Sequence, residues 1–241
     1  MTLYLCIDDT DQIGTKGTGE LAEELATRIQ QLGLGECSAV TRHQLYVHES
    51  IPYTSHNSAM CFSISQPGPL AAIRELAIDH LNRESAAGSD PGLCLFQGED
   101  GACRRALVDF GCRAKREVLT KEQAYEMAER CGALLSEHGG TGDGIIGALA
   151  GLGLRLGGSD GRFKGQFEAP GEGERFTVAQ LLRETSLDQV LSLSHEPLSP
   201  TEQVNLEGKL KAVLLNHRMT LLVSRDDQRW VNAQKRHLHS Y

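Results

Sequence analysis

Residues 2–33 read TLYLCIDDTDQIGTKGTGELAEELATRIQQLG, and the order of signals within them decides the fold. Residues 2–7 form a short apolar run of strand length, halted by Asp8-Asp9-Thr10-Asp11. A loop of small residues follows, QIGTKGTG. Leu21, Leu25, Ile29 and Leu32 then recur at helical spacing until Gly33 supplies a stop. The stretch is a strand–loop–helix unit with its acids at the strand end.

Three carboxylates in four residues repel one another, and a bound divalent cation relieves that repulsion. Oxygen donors favour Mg²⁺ or Mn²⁺, with phosphate oxygens completing the shell. Asp8, Asp9 and Asp11 are therefore the candidate metal ligands. Gly14, Gly17 and Gly19 allow close approach of backbone to a ligand, and the helix start offers unpaired N–H groups to an anion. An Asx-type capping turn accommodates one such Asp well and three poorly.

Further along, strand-like runs are expected at CSAVTRHQLYVH, NSAMCFSIS, GLCLF and TLLVS. Helices are expected at PLAAIRELAIDHLNRE, ACRRALVDFG, TKEQAYEMAERCGALLSEHG, IIGALAGLGL, VAQLLRE and EQVNLEGKLKAVLLN. In the helix after Thr120, Thr120 is the N-cap, Gln123 the capping-box partner and Gly139 the stop. The alternation predicts an α/β or α+β layered sheet with helices. The pattern changes near Leu156, so the chain is divided into residues 1–155 and a C-terminal extension, 156–241, of unknown role.

The chain has 241 residues, 40% hydrophobic and 23% charged, enough for a sizeable core. No apolar run reaches bilayer length and no leader pattern opens the chain, which is expected to be cytoplasmic, with no membrane partner. The formal net charge of −8 argues against a broad electrostatic grip on nucleic acid, although Arg113, Lys115 and Arg116 form a basic cluster. Seven cysteines with no C-x-x-C read as reduced structural thiols.

A second glycine cluster, His138-Gly139-Gly140-Thr141-Gly142-Asp143-Gly144, precedes the apolar run Ile145–Ala150. It reads as a phosphate cradle at a helix N-terminus, or equally as a helix cap and tight turn. No Gly-Lys-Ser/Thr follows, so it is not a Walker A loop. The loop HESIPYTSHNSAM offers His48, Ser55, His56 and Asn57, as ligand contacts or as a solvated hairpin tip.

Three motifs in order resemble the kinase-like domain of the archaeal tRNA-isoleucine 2-agmatinylcytidine synthetases, the TiaS family. They are Ile7-Asp8-Asp9-Thr10-Asp11 with Thr18 beyond it, Ile51-Pro52-Tyr53 leading to Asn57-Ser58-Ala59, and Gly142-Asp143-Gly144-Ile145-Ile146-Gly147-Ala148-Leu149-Ala150. The resemblance covers roughly residues 1–155 and implies a TiaS kinase-domain-like fold that binds ATP with Mg²⁺ for phosphoryl chemistry. In that family the chemistry activates a wobble cytidine for attack by agmatine. Carried onto this chain, Asp9, Asp11 and Thr18 become the catalytic candidates. Thr10, Gly17, Gly19, Gly140, Thr141, Gly142, Asp143, Gly144, His56 and Asn57 become the candidate nucleotide contacts.

The chain departs from the family at Thr54, Ser55 and His56, where the family carries a Lys and an Arg. Phosphoryl transfer relies on positive charge at the transferred group. This departure, and the absence of zinc-ribbon cysteines after residue 156, argue against tRNA as a partner. The expectation is an ATP- and Mg²⁺-dependent protein acting on an unknown small-molecule acceptor, in an unknown oligomeric state. Two alternatives stand beside it. Asp9 and Asp11 form a D-x-D as in haloacid-dehalogenase-type phosphatases, although Gly147 occupies the place of that class's late second acid. The other is a non-catalytic metabolite-sensing or partner-binding module.

Overall fold

The computed structural model describes residues 1–53, 56–165, 175–227, 229–239 and 241. The first strand, β1 (Thr2–Asp8), organises everything that follows. Its side chains alternate: Leu3, Leu5 and Ile7 belong to one buried cluster and Cys6 to another. A strand apolar on both faces must be covered on both.

The first face is covered by α1 (Thr18–Gln31) and α2 (Leu70–Glu84), through Leu21, Leu25, Ile29, Ile73 and Leu81. The second is covered by α3 (Gly101–Arg113), α4 (Lys121–Cys131) and α5 (Gly144–Gly157), through Leu107, Phe110, Ala124, Ala148 and Leu152. Between these layers lie β2 (Glu36–Cys37), β3 (Thr41–Gln44), β4 (Ser58–Ser65), β5 (Gly92–Phe96) and β6 (Leu134–Glu137). The order is β6-β5-β1-β4-β3, with β2 also on β4, and every ladder is antiparallel. The layered sheet with helices is thus of the α+β kind.

The packing divides the chain into two compact units, Met1–Gly157 and Gly158–Tyr241. The second unit contains β7 (Arg162–Phe163), β8 (Arg175–Thr177), α6 (Val178–Glu184), β9 (Gln189–Ser192), β10 (Gln203–Asn205), β11 (Ala212–Leu215), β12 (Arg218–Asp226) and β13 (Arg229–Asn232). Its strands run in the order β7-β11-β12-β13-β10-β8, with β9 parallel to β12. Its core gathers Phe176, Leu181, Val190, Val204, Leu221 and Val223.

Two sequence expectations are corrected. The helix after Thr120 ends at Cys131, because Gly132 takes a left-handed conformation (φ 68°) and caps it; residues 134–137 then form the edge strand β6 rather than a helix running to Gly139. The segment 202–216 is not a helix but carries β10 and β11. Asn216 and His217, both at positive φ, close a two-residue hairpin into β12. Short apolar runs such as Ala212–Leu215 do not distinguish strand from helix by period alone.

All seven cysteines are free thiols, with Cys6, Cys61 and Cys94 buried side by side on β1, β4 and β5. None of the described helices is long and apolar enough to cross a membrane.

Candidate functional site

The antiparallel register brings several segments to one end of the first unit's sheet. Asp8 ends β1 opposite Gly92, which begins β5, and Gly92 faces Glu137 at the end of β6. Ile7 pairs with Met60, so Ser58 at the start of β4 stands level with Asp9. The start of α1 reaches this end through Thr18, and the start of α5 through Gly144, whose backbone lies against Gly92.

Asp8 lies on the face of β1 that also carries Cys6, under α5. Its carboxyl packs against Gly147, where any Cβ would overlap it. Burial pushes its pKa up to about 8, and the charges of Asp9 and Asp11 add to the rise. Asp9 turns the chain with left-handed backbone (φ 49°), a conformation that Asp tolerates better than most residues. Partial burial, then the charges of Asp90, Asp11 and Asp143, raise its pKa to about 6.

Asp11 accepts a hydrogen bond from the Thr18 hydroxyl at 2.8 Å. The same hydroxyl lies 3.4 Å from the N–H of Thr10, which donates to it. Thr10 is buried and its carbonyl accepts from Ala86 N–H; its own hydroxyl has no partner among the described residues. Gly17 is the N-cap residue of α1 and has open space around it, while Gly19 is buried in the first turn.

The glycine-rich loop is held by Asp90, a residue to which no local sequence signal points. Its carboxylate accepts from the Thr141 hydroxyl at 2.5 Å, from Gly142 N–H at 2.5 Å and from Asp143 N–H at 3.2 Å. Asp90 N–H in turn donates to the Asp9 carbonyl at 3.0 Å. Two of the amides expected to cradle a phosphate thus already hold an anion supplied by the chain itself. Gly140, at φ 56°, lies directly against Asp90. Lys121 buttresses the loop, bonding the Thr141 carbonyl at 2.7 Å and Glu137 at 2.8 Å.

His56 is exposed, and Asn57 is half-buried with its amide donating to the Tyr46 carbonyl at 2.6 Å. Asn57 therefore pins the 46–57 loop. Thr54 and Ser55 lie outside the described residues. Arg42, on β3, donates through Nε to Ser58 Oγ at 3.0 Å and through Nη2 to Gln44 Oε1 at 3.2 Å. Nothing in the local sequence around Arg42 signals this placement. Among the described residues, no three His, Cys, Asp or Glu side chains are arranged as a ready-made metal cluster.

No protein-family model matches the chain. It is 29% identical over 161 residues to the tRNA 2-agmatinylcytidine synthetase TiaS of Cenarchaeum symbiosum (strain A), an alignment covering 65% of this chain and 34% of that enzyme. Its fold matches a crystal structure of TiaS in complex with an isoleucine tRNA and ATP, with a TM-score of 0.55 at 23% identity, over 64% of this chain and 36% of that one. The chain is similar to TiaS in sequence over these 161 residues, and in fold.

The chain also matches the crystal structure of a tRNA fluorescent labeling enzyme, with a TM-score of 0.56 at 21% identity over 75% of this chain and 42% of the other. A complex of TiaS with the same tRNA, AMPCPP and agmatine gives 0.54 at 20%, over 76% and 44%. The chain spans about a third of the length of the curated enzyme it matches. One expectation is overturned here. Net charge, Thr54–His56 and the lack of zinc-ribbon cysteines point away from tRNA as a partner. The curated relative is nonetheless a tRNA enzyme, and solved TiaS structures of this fold hold an isoleucine tRNA, so those features do not set tRNA aside.

Proposed function

We propose that the first unit binds ATP at the β1–α1 end and uses it in an ATP-dependent reaction on RNA, of the tRNA-modifying kind. The observation that carries this is the Thr18–Asp11 hydrogen bond at 2.8 Å, set beside Asp9 at the end of β1. A hydroxyl oriented by a carboxylate is a group prepared to lose its proton and meet a phosphorus atom. Relatedness to TiaS supports ATP as the nucleotide and tRNA as the acceptor class.

Mg²⁺ fits the donor set. Mg²⁺ is commonly held by one or two carboxylates plus substrate phosphates, so it does not need a preformed cage of three protein ligands. Asp9 and Asp11 would hold it, with Asp8 close behind. Burial first, and then the neighbouring carboxylates, raise Asp8 and Asp9, and a bound cation would offset the second of these. When bound, the ion would offset charge on the phosphates. The residues themselves do the rest: Asp11 orients Thr18, the start of α1 offers its amides to phosphate oxygens, and Asp90 sets the shape of the 139–144 loop.

The phosphatase alternative is weakened by the packing of Gly147. The position of the second acid which that chemistry requires is filled by the Asp8 carboxyl, leaving no room for a side chain.

Titration calorimetry of the whole chain with ATP and ADP, with and without Mg²⁺, tests the reading. ATP consumption is then measured with and without a tRNA transcript. Binding of ATP with turnover stimulated by tRNA is expected. Absence of ATP binding by the folded protein overturns it, and binding without turnover on any RNA favours the non-catalytic module.

A further inference from the structure

Two of the seven thiols meet away from the β1–α1 end. Cys103 stands in the first turn of α3, and Cys131 is the last residue of α4, 28 positions later. Each sulfur rests on the other's backbone: Cys131 Sγ lies 3.7 Å from the Cys103 carbonyl oxygen, and Cys103 Sγ lies 3.9 Å from that of Arg130. The two thiols also hydrogen-bond to one another. Sulfurs in contact have only to close to a bond of about 2.05 Å, as the side chains turn about their Cα–Cβ bonds.

The buried cysteines have contact without access. Cys6 and Cys61 are paired across β1 and β4, and Cys94 lies beside Cys6 on β5, but all three have no exposed surface. Cys103 and Cys131 are half-buried at the edge of the core under α3, α4 and α5, where a small reagent can reach them.

Asp100 sets how readily the pair reacts. It caps α3, accepting from Ala102 N–H at 3.0 Å, and Cys103 is the third residue of that helix. A thiol in the first helical turn is ordinarily activated, because unpaired amides and the helix dipole favour the thiolate. Here the capping carboxylate accepts from the Cys103 thiol itself. That bond, then burial and the Cys131 thiol, push the Cys103 pKa up to about 11.

We propose that Cys103 and Cys131 are a modification site, closing to a reversible disulfide when the protein meets a low-molecular-weight disulfide, and that Asp100 restrains the closure. One cysteine thiolate attacks the reagent, forming a mixed disulfide and expelling one small thiolate, which takes up the proton the cysteine lost. The second cysteine then attacks the protein sulfur of the mixed disulfide, forming the Sγ–Sγ bond and expelling the second small thiol with the other proton. Two protein thiols are oxidised and one reagent disulfide is reduced, by two electrons. The new bond ties the start of α3 to the end of α4. The site stands apart from the ATP reading and does not depend on it.

Incubating the full chain with oxidised glutathione in mildly alkaline buffer, then alkylating and mapping its peptides, tests the proposal. The folded wild type should lose two hydrogens and give one crosslink, Cys103 to Cys131, with Cys6, Cys61 and Cys94 still reduced. Dithiothreitol should reverse it. Cys103→Ser and Cys131→Ser should each stop at a glutathione adduct on the remaining partner. Asp100→Asn keeps a good helix cap and removes the carboxylate, so closure should quicken on the order of threefold or more. The wild-type map stands even where a variant does not fold. Glutathione adducts without a crosslink, or a crosslink between other cysteines, overturn the site. So does a crosslinked protein with a lower urea midpoint than the reduced one, since the bond would then be forced on the fold. Unchanged closure in folded Asp100→Asn overturns the part given to Asp100.

Discussion

The hydroxyl of Thr18 donates to Oδ1 of Asp11 at 2.8 Å, tying the first turn of α1 to the loop that leaves β1. Thr18 is buried, so this bond both holds the loop and aims the hydroxyl. Thr18→Val should cost about 1 kcal/mol of stability, the usual net worth of such a bond. It should also lower ATP turnover by roughly a hundredfold, the lower range for a positioned proton-transfer pair. Thr18→Ser keeps the hydroxyl and should stay within a few fold of wild type. Steady-state ATP consumption of the three proteins decides it; equal loss in Ser and Val variants would count against the assignment.

Gly147 has no side chain because the Asp8 carboxyl occupies that volume. Gly147→Ala should destabilise the first unit by about 1–3 kcal/mol, the cost of overpacking a close contact. Gly17→Ala is the matched control, since open space surrounds Gly17 and its φ is −76°. The Gly17 variant should be near neutral. Urea denaturation of the two variants checks the contrast.

Stability should fall as pH rises toward 8. The folded protein holds a proton on Asp8 up to about pH 8, whereas the unfolded chain releases it near its ordinary carboxyl range, about 4. Between those values the folded state binds the extra proton, so its advantage is complete at low pH and is lost as pH climbs. The full difference sets a ceiling of about 5 kcal/mol. Asp9 contributes in the same direction but only up to about pH 6. Asp8→Asn should therefore reduce the slope between about pH 4 and 8, and flatten the profile between about pH 6 and 8, where Asp9 no longer contributes. It should also be more stable than wild type at the upper end, as read by denaturant midpoints.

Asp90 raises the pKa of Asp9 while clamping Thr141, Gly142 and Asp143. Asp90→Asn removes a like charge, so the Asp9 carboxyl should titrate below about 6, followed by its carboxyl carbon resonance. Asp90→Ala removes the acceptor altogether. The amides of residues 142 and 143 should then exchange with solvent about tenfold faster or more. Unchanged exchange would mean the loop is held chiefly by Lys121 and its own turns.

Much of the first unit is legible from period alone. Thr2–Asp8, Thr18–Gln31, Leu70–Glu84 and Gly101–Arg113 each bury one coherent face or run. The run IIGALAGLGL is legible as a helix, but not why it is so rich in small residues. Gly147 and Gly151 are small because β1 and β4 press against them, and that pressure comes from strands far away in sequence. The errors fall where local signals conflict. Gly132 and Gly139 are both plausible stops, and the left-handed conformation at Gly132 is decided by the pairing of β6 with β5.

The acids at 8, 9 and 11 are adjacent in the chain, so their crowding follows from the sequence by itself, as does the helix that starts at Thr18. Which acid is buried does not. Strand alternation and the approach of α5 put Asp8 beneath Gly147, and the left-handed turn at Asp9 sends the next carboxyls elsewhere. The sequence likewise determined that residues 139–144 form a loop rich in amides, but Asp90 fills that loop only because β5 lies beside β1. Arg42 and Ser58 meet because two antiparallel strands share a register, a relation between residues sixteen apart that no local pattern encodes. Local propensity acts over a few residues, and the charges that define this site act across strands.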